Sequence, residues 1–135
     1  MKKYIGTKTV YAQPMTAEEA KEKGYKVGDN TGDGYEVEYK DGYKSWSPDK
    51  AFEAAYQVAE TPLDRLEIEL SELDDKIIKL KGFLVRHDNA ELVEMLGTEQ
   101  VKLMNIQFHA MKTYYYCLYS RIVEIKDRED EKNKQ

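Results

Sequence analysis

The residues of this chain best suited to chemistry form a run of aromatic side chains, Tyr114-Tyr115-Tyr116-Cys117-Leu118-Tyr119, with cations nearby. Aromatic rings offer stacking faces to nucleobases, and an adjacent Arg or Lys can hold a phosphate. At ~100° per residue, Tyr114 shares one flank of a helix with Gln107 and Arg121, each seven residues from the next, while Lys112 and Tyr119 lie on the opposite flank. On the preceding helical stretch, Lys76 is the basic residue best placed at the edge of the apolar face. Lys79 points well away from that face, and Lys81 borders its other side. Lys76, Lys79, Gln107, Tyr114 and Arg121 are the candidate ligand-binding set. A plainer reading has the tyrosines covering the edges of a packed seam and hydrogen-bonding through their hydroxyls. The lysines then belong to a solvated face, with Asp75 and Lys79 as an i,i+4 ion pair. Both readings stand on the residues alone.

Other chemistry is poorly represented. His87 and His109 are the only imidazoles, 22 positions apart, with no Cys or carboxylate at metal-ligand spacing. Neither a Ser-His-Asp set nor a phosphate-binding glycine loop is present. Asp29, Thr31, Asp33 and Gly34 match the opening of an EF-hand loop, but Lys40 stands where the bidentate Glu belongs, so a plain turn is expected. Carboxylates such as Glu67, Glu69, Glu72, Asp74 and Asp75 fit solvated helix faces. The expectation is a protein without catalytic residues, metal or cofactor.

Two long amphipathic stretches position the tyrosines and lysines. Leu63, Leu66, Leu70, Leu73, Ile77, Leu80 and Leu84 recur in steps of three and four. Val101, Met104, Phe108, Met111, Tyr115, Leu118, Ile122 and Ile125 do the same. Such spacing keeps side chains along one seam of a helix. Thr61-Pro62 opens the first helix, which is expected over Pro62 to Val85 with Gly82 as a weak point. Asp88 and Glu91 resemble a capping box for a short helix ending at Gly97. Thr98 is expected to cap the second long helix, to about Lys126, and the charged residues after it to fray. That helix carries a second stripe, Leu103, Ile106, Ala110, Thr113, Cys117 and Ser120. A helix apolar on two sides needs a partner beyond its own hairpin, so a homo-oligomer is expected.

The first sixty residues read differently. Lys2 to Ala12 is rich in Tyr, Ile, Thr and Val and predicts a strand ended by Pro14. Thr16 and Glu19 form a capping box for a short helix that Gly24 closes. Tyr35 to Tyr39 and Tyr43 to Trp46 flank Lys40-Asp41-Gly42, a hairpin signal. Ser47-Pro48 reads as an N-cap and first helical residue, opening a helix to about Val58 with Ala51, Phe52, Ala55 and Tyr56 turned inward. The fold class is therefore α+β, a small three-stranded unit with short helices followed by a long antiparallel helical hairpin that oligomerises. The expected organisation is 1–59 for the small unit, 60–126 for the hairpin and 127–135 for a charged tail.

Composition narrows the partners. Of 135 residues, 41% are apolar, which suits a folded chain. The 26 acidic residues outnumber 21 basic ones, for a formal charge of −5. Long nucleic acid needs a basic face, so DNA is not an expected partner. A small anion needs only a few local cations. No apolar run reaches the ~18 residues of a membrane span, and Met1 to Gly6 lacks the long apolar core of a signal peptide. A single cysteine, Cys117, fits a reducing compartment and a packed thiol.

A resemblance adds a ligand. Asp64-Arg65, Glu72-Leu73-Asp74-Asp75-Lys76-Ile77-Ile78-Lys79-Leu80, Phe83-Leu84, Gln107, Ala110-Met111, Tyr114, Leu118 and Arg121-Ile122 resemble the phage anti-CBASS sponge family. The likeness covers Leu63 to Ile125, about half the chain. It implies a helical homo-oligomer in the host cytoplasm that holds cyclic oligonucleotide messengers between protomers and does not cleave them. It also implies a Lys for phosphate, carried onto Lys76, and a Tyr for base stacking. The family's stacking Tyr lies near the start of its helical unit, where this chain has no Tyr after Tyr56; Tyr114 matches the shared pattern further along. Gly34 to Tyr39 and Asp41 to Pro48 look like a small phage domain of unknown role. The rival expectation is a protein-interaction module that docks a host or phage protein through its helices, with the tyrosines as anchors.

Overall fold

The computed structural model describes residues 1–134. The class is α+β: a three-stranded antiparallel sheet, then long helices that pack against each other. The chain divides into two compact units, Met1–Gln57 and Val58–Gln135.

In the first unit, β1 (Tyr11–Pro14), β2 (Gly34–Glu38) and β3 (Lys44–Pro48) lie in that order in the sheet. Short helices α1 (Ala17–Glu22) and α2 (Asp49–Ala55) complete it. The Asp-Gly hairpin forms as expected: Gly42 takes φ 89°, and Tyr39 N donates to Tyr43 O at 2.8 Å. Thr16 caps α1 by accepting from Glu19 N at 3.1 Å. Met15, Ala17, Ala20, Val27 and Trp46 make the core, with Tyr25 against it. Trp46 Nε1 donates to Met15 O at 2.8 Å, which satisfies the one polar atom of the buried indole. Gly34 is required beneath that ring: a Cβ there would collide with the indole and with the Ser47 carbonyl oxygen.

Three expectations for this unit change. The strand begins at Tyr11, not Lys2, and Pro14 is its last residue rather than its stop. Tyr11 pairs with Glu38, and β2 ends there in the hairpin turn, so earlier residues have no neighbouring strand to bond. Pro14 is tolerated because β1 is an edge strand. Pro48 pairs with Gly34 inside β3, so α2 starts one residue later, with Pro48 as N-cap, and stops at Ala55. Phe52 and Tyr56 are half-buried as expected, while Ala51 and Ala55 are exposed.

The second unit holds α3 (Pro62–Arg86), α4 (Asn89–Leu96) and α5 (Thr98–Asn133). Thr61 and Asp64 form a full capping box: Asp64 N donates to Thr61 Oγ1 at 3.0 Å and Thr61 N to Asp64 Oδ2 at 3.1 Å. Asp88 caps α4 through Glu91 N at 2.8 Å. Gly97, at φ 88°, donates its N–H to Val93 O and also serves as N-cap of α5. Thr98 is consequently the first helical residue rather than the cap. The helix also continues through the charged tail to Asn133, helped by pairs such as Arg128 with Glu124 at 2.8 Å.

Leu66, Leu73, Leu118 and Ile122 are buried between α3 and α5, with Leu63, Leu70, Ile77, Met111, Tyr115 and Ile125 packed around them. Leu63 to Ile77 of the first predicted seam and Met111 to Ile125 of the second are therefore face to face. Burying a large aliphatic side chain contributes roughly 1.5–3 kcal/mol, so these contacts hold the pair together. Lys126 Nζ reaches Glu67 Oε1 at 3.1 Å, joining the late part of α5 to the start of α3. The two helices are antiparallel.

Candidate functional site

The tyrosine run splits by direction. Tyr115 is half-buried in the seam and stacks on exposed Tyr119, with ring centroids 6.5 Å apart and planes 8° off parallel. Tyr116 meets Tyr115 edge-on at 6.2 Å. These contacts fit the packing reading. Tyr114 is different: it is 44% exposed and has no aromatic partner or side-chain hydrogen bond among the described residues. Its ring is open to a ligand.

Gln107 and Arg121 are exposed on the same flank as Tyr114. A rise of ~1.5 Å per residue sets each about 10 Å from Tyr114 along the helix. Lys76 is exposed on α3, three positions after buried Leu73. At ~100° per residue it stands about a quarter turn from the seam, on the side that an antiparallel pairing brings to the flank of Gln107, Tyr114 and Arg121. The ion pair of Glu67 with Lys126 checks this geometry, because both residues stand to the other side of their seams and do meet. Equal steps from that pair bring Lys76 level with Cys117, between Tyr114 and Arg121 in height. Lys79 is exposed further round the back of α3, away from this edge. Asp75 and Lys79 are not among the ion pairs of the described residues, which are His87 with Glu91, Lys126 with Glu67 and Arg128 with Glu124. Lys79 is therefore neither in the expected pair nor on the tyrosine edge.

The remaining face of α5 is uncovered in the single chain. Leu103, Ile106, Ala110, Thr113, Cys117 and Ser120 are all exposed, with Leu103 at 46% and Ile106 at 55%. Ile78 and Val85, seven positions apart on α3, are also exposed. The sequence reading passed over this pair, although their i,i+7 spacing was its signal. Two open hollows mark the surface. One runs along α5 from Tyr119 to Glu131, and the other, in the first unit, is walled by Glu19, Asp33, Asp49 and Glu53. Neither contains Lys76 or Tyr114, and four carboxylates would repel a phosphate. No group of three His, Cys, Asp or Glu side chains among the described residues is placed to hold a metal ion. No described helix is long and apolar enough to cross a membrane.

The edge that carries Tyr114 and Lys76 lies within a recognisable stretch. Residues 60–124 match the model of a family described as Sequestin. The match runs from just before α3 through most of α5 and covers just under half of the chain. It is consistent with a sequestering protein. No curated protein and no solved structure matches.

Proposed function

We propose that this chain binds and sequesters a cyclic oligonucleotide signal without cleaving it, as a phage anti-defence protein acting in the host cytoplasm. The observation that carries the reading is the unpartnered Tyr114 ring on the same edge as Lys76 and Arg121. A ring can stack on a base while the two cations take phosphates. The Sequestin match over the same residues supports a sequestering role.

One copy offers an edge rather than an enclosure, so a second copy is needed to close a pocket around the ligand. The exposed stripe of Leu103, Ile106 and Ala110 supplies the means of assembly. Two-fold pairing would duplicate the Tyr114, Lys76 and Arg121 set about an axis, which suits a symmetric ligand. Sequestration requires affinity and abundance but no turnover.

The same stripe would also serve a module that docks another protein, and one experiment separates the two. The protein is purified from bacteria that make a cyclic oligonucleotide messenger, then heated. Mass spectrometry of the supernatant should find the intact messenger in near-stoichiometric amount. Folded protein that releases none, and brings down a protein partner instead, would overturn the proposal.

A further inference from the structure

The first ten residues carry a strand signal that their own unit does not use. Tyr4, Ile5, Thr7, Thr9 and Val10 favour extended backbone. Yet residues 1–10 adopt no regular structure, and Tyr4 and Ile5 are 86% and 87% exposed. The cause is the register. Tyr11 already pairs with the last residue of β2, so the arm overhangs the hairpin turn and finds no strand beside it. Meanwhile β1 is an outer strand with all four residues exposed, and its free edge has backbone groups without a ladder partner. The arm carries Lys2, Lys3 and Lys8 and no carboxylate. Glu36 and Glu38, on the strand next to β1, form no ion pair among the described residues.

We propose that the arm of one copy pairs antiparallel with the free β1 edge of a second copy, and the reverse, about a two-fold axis. Like edges meeting in this way satisfy both at once. The register that sets Tyr4 against Gln13 of the second copy sets Ile5 against Ala12. Alternation then places Lys2, Tyr4 and Lys8 on the face that carries Gln13, Glu36 and Glu38. In this register residues 3–6 of each arm face β1 of the other copy and residues 7–10 face the other arm, so the cationic arm lies along a sheet edge whose Glu38 has no ion pair among the described residues, which favours this occupant over a neutral strand. The exposed Tyr4 and Ile5 gain a neighbour. This contact is separate from the α5 stripe and does not depend on any ligand.

Two measurements on the full chain test it together. Hydrogen exchange should show the amides of residues 3–10 slowed at least about tenfold at high micromolar concentration, and the Thr7→Pro variant, which lacks a donor outside the folded core, should lose that protection. In a Cys117→Ser background, chains bearing Ile5→Cys and chains bearing Ala12→Cys are mixed under mild oxidation. Both positions are exposed, so neither substitution threatens folding. A mixed disulfide should dominate over either like pair. Arm amides that exchange at unstructured rates would overturn the proposal. So would slow exchange without the mixed disulfide, because the arm would then have turned back on its own chain at Gly6-Thr7.

Discussion

Lys126 Nζ sits 3.1 Å from Glu67 Oε1, across the α3–α5 pair and near one end of it. Both side chains are about half exposed, so the contact adds at most about 1 kcal/mol. Its value is geometric: it reports the direction and level at which the two helices meet. Stability comes from the aliphatic seam beneath.

Leu118 is 2% exposed at the centre of that seam. Leu118→Ala should lower stability by about 2–5 kcal/mol, read from denaturant unfolding. Ile106→Asp should behave in the opposite way. Its side chain is 55% exposed in the single chain, so the helix pair should survive. The same change places a charge on the surface proposed for assembly. Light scattering should then report a smaller particle than the unaltered protein. An unchanged particle size would remove the stripe from the assembly.

The first unit offers a steric test. Gly34 faces the Trp46 indole and the Ser47 carbonyl oxygen so closely that no Cβ fits. Gly34→Ala should cost roughly 1–3 kcal/mol as the ring is displaced. Trp46 is the only tryptophan, so its fluorescence reads the displacement directly. A variant with native melting and native emission would show that the contact is loose.

Acid and alkali should each weaken this unit through one side-chain network. Glu36 accepts from Tyr25 Oη at 2.7 Å and from Gln13 Nε2 at 2.8 Å, and these bonds hold its carboxyl below the usual range. The Tyr25 hydroxyl is raised above its ordinary value by the same bond. A carboxyl lowered by folding contributes stability above its unfolded pKa and loses it as pH falls through the folded value. A tyrosine raised by folding contributes below its unfolded pKa and loses it as pH rises through the folded value. Melting temperature should therefore be flat near neutral pH and fall on both sides. Glu36→Gln should flatten the acid limb, and an acid limb unchanged by that substitution would show that other carboxyls set it.

Much of this was legible in the residues. The three-four spacing identified both seams, because a two-helix core needs that period on each partner. The capping pair Thr61 and Asp64 set the start of α3 for an equally local reason. Errors arose where a neighbour decides. Residues 2–10 have the composition of a strand, but pairing depends on where β2 ends. Ser47-Pro48 has the look of a helix start, but Pro48 is held in β3 opposite Gly34. At the site, Gln107, Tyr114 and Arg121 followed from heptad spacing within one helix. That Lys76 shares their edge depends on the antiparallel direction of the pair, whereas Lys79 lies behind α3 by its spacing alone. The difference between Tyr114 and Tyr115 is a rotation of one residue, enough to separate an open ring from a packed one.

Calorimetric titration of the full chain with a panel of cyclic di- and trinucleotides is the most direct measurement. At least one should bind saturably and be recovered intact, and Lys76→Ala and Tyr114→Ala should each weaken it about tenfold or more, or ~1.4 kcal/mol, with melting unchanged. No heat from any member of the panel, with the protein shown to be folded, would contradict sequestration of such a signal.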